Sequence, residues 1–390
     1  MRIVLYNGNL KPPHFVNLLA EKMAEGNDSI YLAGTANRLF KKRESKLILL
    51  PTDSNSKVLL ILHLLMMIFK MLLFKTHYLF KFVRILLKSK KRLKIKLKQF
   101  LIWSKFILIN ADIIHIQWVS HIILFEEILE SKLFKIVVSF RGRLVNISPY
   151  VDEKYKKLYQ KELPKVDGIH AVSKNIAFNL QKLEITEPHS KVIYSGLDLN
   201  NIPVKNNYER KGSIQILSVG RVNWIKGYTY ALYAIKELIN KKVAVHYTIV
   251  AGGKQEELLF IIDQLNLNAF VTLIDELEHS AVLDKIKNAD LFLLPSVSEG
   301  LANVVLEAMA IGTPVLSSNC GGMPEVIKDE ETGWLFKNGD VFDMVSKIEN
   351  YISTDKKNLK VIVSEAKELI KRQHNLELMS DEMLNFYNEL

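Results

Sequence analysis

The segment SEGLANVVLEAMAIGTPV holds two carboxylates, Glu299 and Glu307, with seven residues between them. A carboxylate accepts hydrogen bonds and can take two donors at once, which suits it to sugar or ribose hydroxyls. Upstream, SVGRVNWIKGYTYALYAI places two cations, Arg221 and Lys226, five positions apart just after Gly220. A glycine there lets the backbone approach a ligand closely. The two cations could neutralise charge that grows on a departing diphosphate, a task given to a metal ion in other enzymes of nucleotide sugars. Each of these residues alone reads as ordinary solvated surface; the four in this order read as one site.

Local structure must then position them. Leu291–Leu294 reads as a buried strand ending at Pro295, followed by a loop with Ser296, Ser298, Glu299 and Gly300. Leu301 and Ala302 come next, where pocket shape would select a sugar, and a helix is expected to begin near Asn303, a good N-cap residue. Unpaired amides at a helix start, beside the end of a parallel strand, can hold a diphosphate. Glu307 falls on the second turn of that helix, so the two carboxylates address different parts of one ligand.

Short apolar, β-branched runs recur along the whole chain, each followed by a polar or helical stretch, the alternation of βαβ units. The expected strands are 3–6, 30–32, 113–116, 136–139, 168–172 and 191–194, then 214–219, 245–251, 271–273, 291–294 and 314–317. Residues 196–212 separate the two series and show no periodicity, which marks a linker. The reading is an α/β chain of two doubly wound, Rossmann-like domains, 1–195 and 213–370, facing a central cleft. A terminal helix over 371–390 could pack back on the first domain.

From about Ser218 to Phe336 the chain resembles the nucleotide-sugar-binding domain of family-four retaining glycosyltransferases, of bacterial polysaccharide and lipopolysaccharide type, which have the GT-B fold. The resemblance rests on Gly220-Arg221-x4-Lys226-Gly227, on Glu299-x7-Glu307, and on Gly321-Gly322-x-x-Glu325. It implies that Arg221 and Lys226 contact the donor diphosphate and that Glu307 binds the ribose. It implies too that Glu299, with the backbone of Gly300, Leu301, Ala302 and Asn303, holds the transferred sugar. Retention is implied, by a front-face reaction in which the leaving phosphate oxygen takes the acceptor's proton, with no second carboxylate at nucleophile distance as in retaining hydrolases.

The first half resembles the family more weakly, through Asp112-Ile113-Ile114-His115-Ile116-Gln117-Trp118, where Gln117 stands in place of a second histidine. His115 or His121 is expected to act at the cleft, and a satisfied core histidine is the alternative. Gly8 opens a first loop that lacks the family's double glycine. Arg141 or Arg143, after the strand 136–139, could meet an anionic acceptor. Acceptor contacts are thus expected among Gly8, His115, Gln117, His121 and Arg141.

The 390 residues carry a net charge of +11. Residues 1–195 hold 33 basic and 15 acidic side chains, while 196–390 hold 20 and 27, so a basic partner surface belongs to the first half. From Ser54 to Ala111 there are 13 Lys and Arg and no Asp or Glu, interleaved with apolar residues. The favoured reading is an anionic membrane surface with these helices lying on it; core packing with incidental charge and nucleic-acid contact are the alternatives. Val58–Phe74 is at the short edge for a membrane span, which is not favoured.

Several classes are set aside. Cys320 is the one cysteine, so no internal disulfide or cysteine-rich zinc module forms. No Asp-x-Asp and no His-x-x-x-His occurs, and no metal or other cofactor is expected. The start MRIVLYNGNL lacks the features of an export signal, so a cytoplasmic place on the inner face of the cell membrane is expected. The function expected is metal-independent, retaining transfer from a nucleotide-diphosphate sugar to a glycan acceptor carried on a lipid. The rivals are a nucleotide-sugar isomerase or phosphorylase on the same fold, and a basic nucleic-acid-binding protein, which the acidic second half argues against.

Overall fold

Apolar runs fold into parallel strands because helices cover both faces of the sheet, so side chains on both sides are buried. The computed structural model describes residues 1–390 except 27, 37–45, 55–56, 186–188 and 211. Two compact units divide the chain. One comprises Met1–Val172, Ile176–Tyr194 and Leu376–Leu390; the other comprises Ser173–Asn175 and Ser195–Asn375.

The first unit holds β1 (Arg2–Asn9), β2 (Ser29–Ala36), β3 (Ile48–Ser54), β4 (Ile113–Ile116), β5 (Lys135–Phe140), β6 (Gly168–Ala171) and β7 (Ser190–Val192), in the order β3-β2-β1-β4-β5-β6-β7. The second holds β8 (Ile214–Val219), β9 (Val245–Val250), β10 (Val271–Ile274), β11 (Leu291–Leu294), β12 (Val315–Ser318) and β13 (Trp334–Phe336), in the order β10-β9-β8-β11-β12-β13. All pairings are parallel. In each sheet the strand order reverses once, at β1/β4 and at β8/β11. Open α/β sheets bind ligands beyond the carboxyl ends of the strands at such a reversal. Two strands escape the sequence reading: β3 contains Pro51 and Asp53, and β13 is three residues long.

The element bounds differ from the sequence expectation at two places. Residues 196–212 do not form a free linker but cluster with the second unit, Lys211 lying outside the described residues. Polar groups there find carbonyls: the backbone amide of Lys205 donates to Ile311 O at 2.8 Å, its buried side-chain Nζ to Ala289 O, and Tyr208 Oη to Gly312 O at 3.0 Å. The terminal helix spans Leu376–Glu389, whereas Lys371–Gln373 end the preceding helix, Lys356–Gln373. Met379, Met383 and Phe386 of the terminal helix are buried with Ile3, Leu5 and Leu19 in one apolar cluster of the first unit.

The acid-free segment forms α1's successors in chain order: after α1 (His14–Ala24) come α2 (Lys57–Phe74), α3 (Thr76–Lys88) and α4 (Leu93–Leu108). One stripe of α2 is covered, with Met67 and Met71 buried and Leu60 and Leu64 packed against the core. Ile61, Leu65, Phe69, Leu72 and Phe74 of α2 stay open, and so do Phe80, Leu87 and Leu93 further on. Among the described residues no helix is long and apolar enough to cross a membrane.

Candidate active site

Both sequence motifs of the second unit lie at the β8/β11 reversal. β8 runs into a turn carrying Gly220 and Arg221, then a single 3-10 turn over Trp224–Lys226, then the helix Tyr228–Asn240. Gly227 is left-handed at φ 66°, and a Cβ there would lie 2.0 Å from Pro295 O, so only glycine lets the turn pack on the end of β11. The amide of Val297 donates to Ile225 O at 2.6 Å and ties the two loops together. Gly220 has little room either: a Cβ would meet Tyr228 Oη at 2.9 Å and Lys226 Cε at 3.2 Å.

This packing brings Lys226 and Glu299 together. Lys226 Nζ donates to Glu299 Oε1 at 2.7 Å, both side chains largely buried. Arg221 is exposed and makes no salt bridge or side-chain hydrogen bond with any described residue. The helix that follows spans Asn303–Ile311, with Ala302 at its N-cap and no side-chain cap. Asn303 is therefore its first helical residue and not the cap expected from sequence. Gly300 and Ala302 are buried and Leu301 is half-buried, so the loop offers a ligand mainly its backbone.

The glycine pair that follows β12 holds this loop in place. Gly321 is left-handed at φ 53°, and its Cβ would lie 1.9 Å from Glu299 O; a Cβ on Gly322 would lie 2.3 Å from Gly300 O. The amide of Gly322 donates to that same Gly300 O at 2.9 Å. Glu325 accepts from the amides of Lys174 and Asn175 at 2.9 and 2.8 Å, so it anchors the short stretch Ser173–Asn175 that clusters with this unit. Nearby Cys320 is buried, which pushes its thiol up to about 12 and keeps it neutral.

Glu307 sits on the helix's second turn, 9% exposed, and its Oε1 accepts from His279 Nε2 at 2.9 Å. His279 was not visible in the sequence: it opens the helix His279–Asn288, outside every motif. The hydrogen bond it donates to Glu307 raises the pKa of His279, against a smaller lowering by burial. A raised histidine contributes stability that is fully present below the unfolded value of about 6.5 and is lost as pH rises through the folded value. Because His279 is partly exposed, solvent screening keeps the gain to about half a kcal/mol. The melting temperature should therefore decline slightly from pH 6 to pH 8, and His279→Ala should flatten that slope in a pH series of thermal melts.

In the first unit the expected acceptor residues part company. His115 lies on β4 inside the sheet and is fully buried. Tyr387 Oη donates to its Nδ1 at 2.5 Å, its Nε2–H donates to Ser139 Oγ at 2.7 Å, and Ser139 Oγ donates to His170 Nδ1 at 2.8 Å. His170 Nε2–H ends the chain on Ile193 O at 2.9 Å. This run of neutral donors is consistent at every step, and burial holds His115 well below its usual pKa. The expectation that His115 acts on a ligand is thus corrected: both its ring nitrogens are occupied, and it is the satisfied core histidine. His121 packs on Gly8, whose Cβ would come within 2.3 Å of its ring, and burial pushes its pKa down to about 4. It lies under the first loop as a neutral wall.

Gln117, Trp118 and Arg141 remain at the carboxyl ends of β4 and β5, close to Gly8 and Asn9 at the end of β1. Arg141 Nη2 donates to Gln117 Oε1 at 3.2 Å, and its guanidinium lies 4.5 Å over the ring of Phe15. Arg143 is exposed at the start of a four-residue helix.

Residues 203–369 match the family model described as glycosyl transferases group 1. WcaL of Escherichia coli (strain K12), a glycosyltransferase named for colanic acid biosynthesis, is 27% identical over 264 residues, 64% of this chain and 65% of that protein. The amylovoran biosynthesis glycosyltransferase AmsK of Erwinia amylovora is 28% identical over 198 residues, 49% of each chain. The matches thus span less than two thirds of these relatives' length. Among solved structures, sucrose-phosphate synthase from Thermosynechococcus elongatus superposes with a TM-score of 0.78 at 14% identity, covering 100% of this chain and 99% of that one. Anabaena Alr3699/HepE in complex with UDP-glucose superposes with a TM-score of 0.75 at 15% identity, covering 100% of both. These likenesses show the GT-B fold that the motifs implied.

Proposed function

We propose, from the match of residues 203–369 to the group 1 glycosyl transferases, that the chain transfers a sugar, with retention, from a nucleotide-diphosphate sugar to a glycan acceptor in the synthesis of a bacterial polysaccharide. The observation that carries this reading is the convergence at β8/β11: a free Arg221, the Lys226–Glu299 pair and an uncapped helix start. In the proposed step the bond between the anomeric carbon and the diphosphate oxygen breaks. The acceptor oxygen forms its bond to the same face of that carbon, and the acceptor's proton passes to the leaving phosphate oxygen. Arg221, Lys226 and the helix amides take up the charge of the leaving group, so the step needs no divalent ion. Glu299, released from Lys226 by the incoming phosphate, accepts from hydroxyls of the transferred sugar. Glu307 accepts from the ribose, for which Oε2 is available beside the bond from His279.

A uridine diphosphate sugar is the first candidate donor, supported by the UDP-glucose complex of the Anabaena neighbour. A thermal-shift panel of UDP-, GDP- and dTDP-sugars identifies the donor, since a ligand that binds only the folded state raises its melting point. Mass spectrometry of the product with that donor should then show an acceptor heavier by one sugar. An isomerised donor with no change in acceptor mass would contradict transfer.

The acceptor reading includes the membrane. Open apolar side chains on α2 and α3 alternate with exposed Lys70, Arg84, Lys88, Lys90, Arg92 and Lys94, and no acidic residue lies between 54 and 111. An acidic bilayer matches both features: apolar rings and aliphatic chains enter the acyl boundary, and each lysine near the headgroups adds about 1 kcal/mol. In a liposome flotation assay at low salt the protein should rise with vesicles containing anionic lipid and less so with neutral ones. Protein that stays in the soluble fraction with both removes the membrane from the account.

A further inference from the structure

At the β1/β4 reversal of the first unit stands a cation with no counter-ion. Arg141 makes no salt bridge with any described residue, and its side-chain hydrogen bond goes to the neutral Gln117. Its Nε is buried and has no acceptor among the described residues. Gln117, 0% exposed, has its Oε1 fixed by Arg141, and its Nε2 likewise has no acceptor. Two buried donors side by side without an acceptor are costly, roughly 1–3 kcal/mol for each, and such groups persist where a ligand supplies what the protein lacks. Burial, with the nearby Arg141 charge as a smaller contribution, lowers His115 and His170, so both stay neutral beside it. Burial brings Arg141 itself down to about 10, still charged at pH 7.

The surroundings are built and not incidental. Phe15 carries the guanidinium at 4.5 Å and Trp118 lies 5.8 Å from it. Trp118 is locked in turn, its Nε1 donating to Asn7 Oδ1 at 2.9 Å while Asn7 Nδ2 donates to Asn9 O at 3.1 Å. An indole is a flat apolar surface of the kind that stacks on a sugar ring, and a guanidinium beside it is a planar fork that suits an oxyanion.

We propose that Arg141, with Gln117 and Trp118, forms a subsite for a single oxyanion carried next to a sugar ring, a phosphate or a carboxylate on the acceptor. The proposal rests on the reading of the first unit as the acceptor side. It adds the charge class of this chain's acceptor, read from its own residues.

The test follows the indole N–H resonance of Trp118, one of four tryptophans, in ¹⁵N-labelled full-length protein, with Trp118→Phe used to assign the peak. Inorganic phosphate, glucuronate and neutral glucose are titrated separately, with no donor present. A saturable shift with phosphate assigns a phosphate-bearing acceptor, and one with glucuronate assigns an acidic sugar; either supports the subsite. Arg141→Gln should weaken that binding at least about tenfold. Arg141→Lys, which keeps charge but not the fork, should weaken it severalfold and serves if the first variant does not fold. No saturable shift with either anion, an equal shift with glucose, or undiminished binding in both variants overturns the proposal. Because no donor takes part, failure here leaves the transferase reading standing, and a failed transfer assay leaves this one standing.

Discussion

Replacing Arg221 and Lys226 together by alanine is expected to lower turnover by about 10²–10⁴-fold while the fold survives. One preorganised donor aimed at developing negative charge is worth about 10²–10³ in rate, and the two cations flank the same leaving group. Their environments differ, and so should the single variants. Arg221 is exposed and unpaired, so Arg221→Ala should leave the melting temperature unchanged and act on rate alone. Lys226 is paired at 2.7 Å with Glu299, whose side chain is 15% exposed. Lys226→Ala leaves that carboxylate without its cation and should lower both rate and melting temperature. Thermal melts run beside initial rates separate the two effects.

Gly321→Ala is expected to be as damaging from a position that touches no substrate. Its Cβ would stand 1.9 Å from Glu299 O, and φ is 53°, in the left-handed region. Left-handed strain costs about 1–2 kcal/mol, and relieving the clash must push the Glu299 loop by more than 1 Å. A displacement of that size costs about 10²-fold in rate when it moves a positioning group. Gly212 supplies the control, since it too is left-handed, at φ 70°, but a Cβ there meets nothing within 4 Å. Gly212→Ala should therefore show the strain without the loss of turnover. Equal turnover losses in the two variants would mean that Gly321 does not hold Glu299 in place.

Both predictions concern residues that could be read from the sequence, because glycine, arginine and carboxylate at fixed spacing reflect local turn chemistry. The parallel sheets were legible for the same reason, in β-branched runs separated by helical stretches. What remained hidden depends on contacts between distant segments. His279 reaches Glu307 only because the helix His279–Asn288 packs beside the helix Asn303–Ile311, and no local pattern encodes that. His115 looked functional because a histidine at a strand end is exposed as often as not. Its fate was decided by Tyr387, 272 positions away. β13 was too short to show a period, and 196–212 looked like a linker because side chains that bond distant carbonyls are indistinguishable in sequence from solvated ones.

The segment around α2 shows the opposite case, where sequence and structure each supply half of an argument. Absence of acids was plain in the sequence, yet whether the apolar residues serve a core or a surface was not. The helix buries Met67 and Met71 and leaves Phe69 and Phe74 61% and 72% exposed, so packing accounts for one stripe only.

The central claim is that side chains and amides, with no divalent ion, carry the charge of the departing diphosphate. Initial rates of sugar transfer in excess EDTA test it most directly, measured for the wild-type protein and for the Arg221→Ala/Lys226→Ala variant. The account predicts that chelation leaves the wild-type rate unchanged and that the variant stays about 10²–10⁴-fold slower with or without added Mg²⁺ or Mn²⁺. Loss of the wild-type rate in EDTA with recovery on adding metal, or full turnover in the variant, would contradict it.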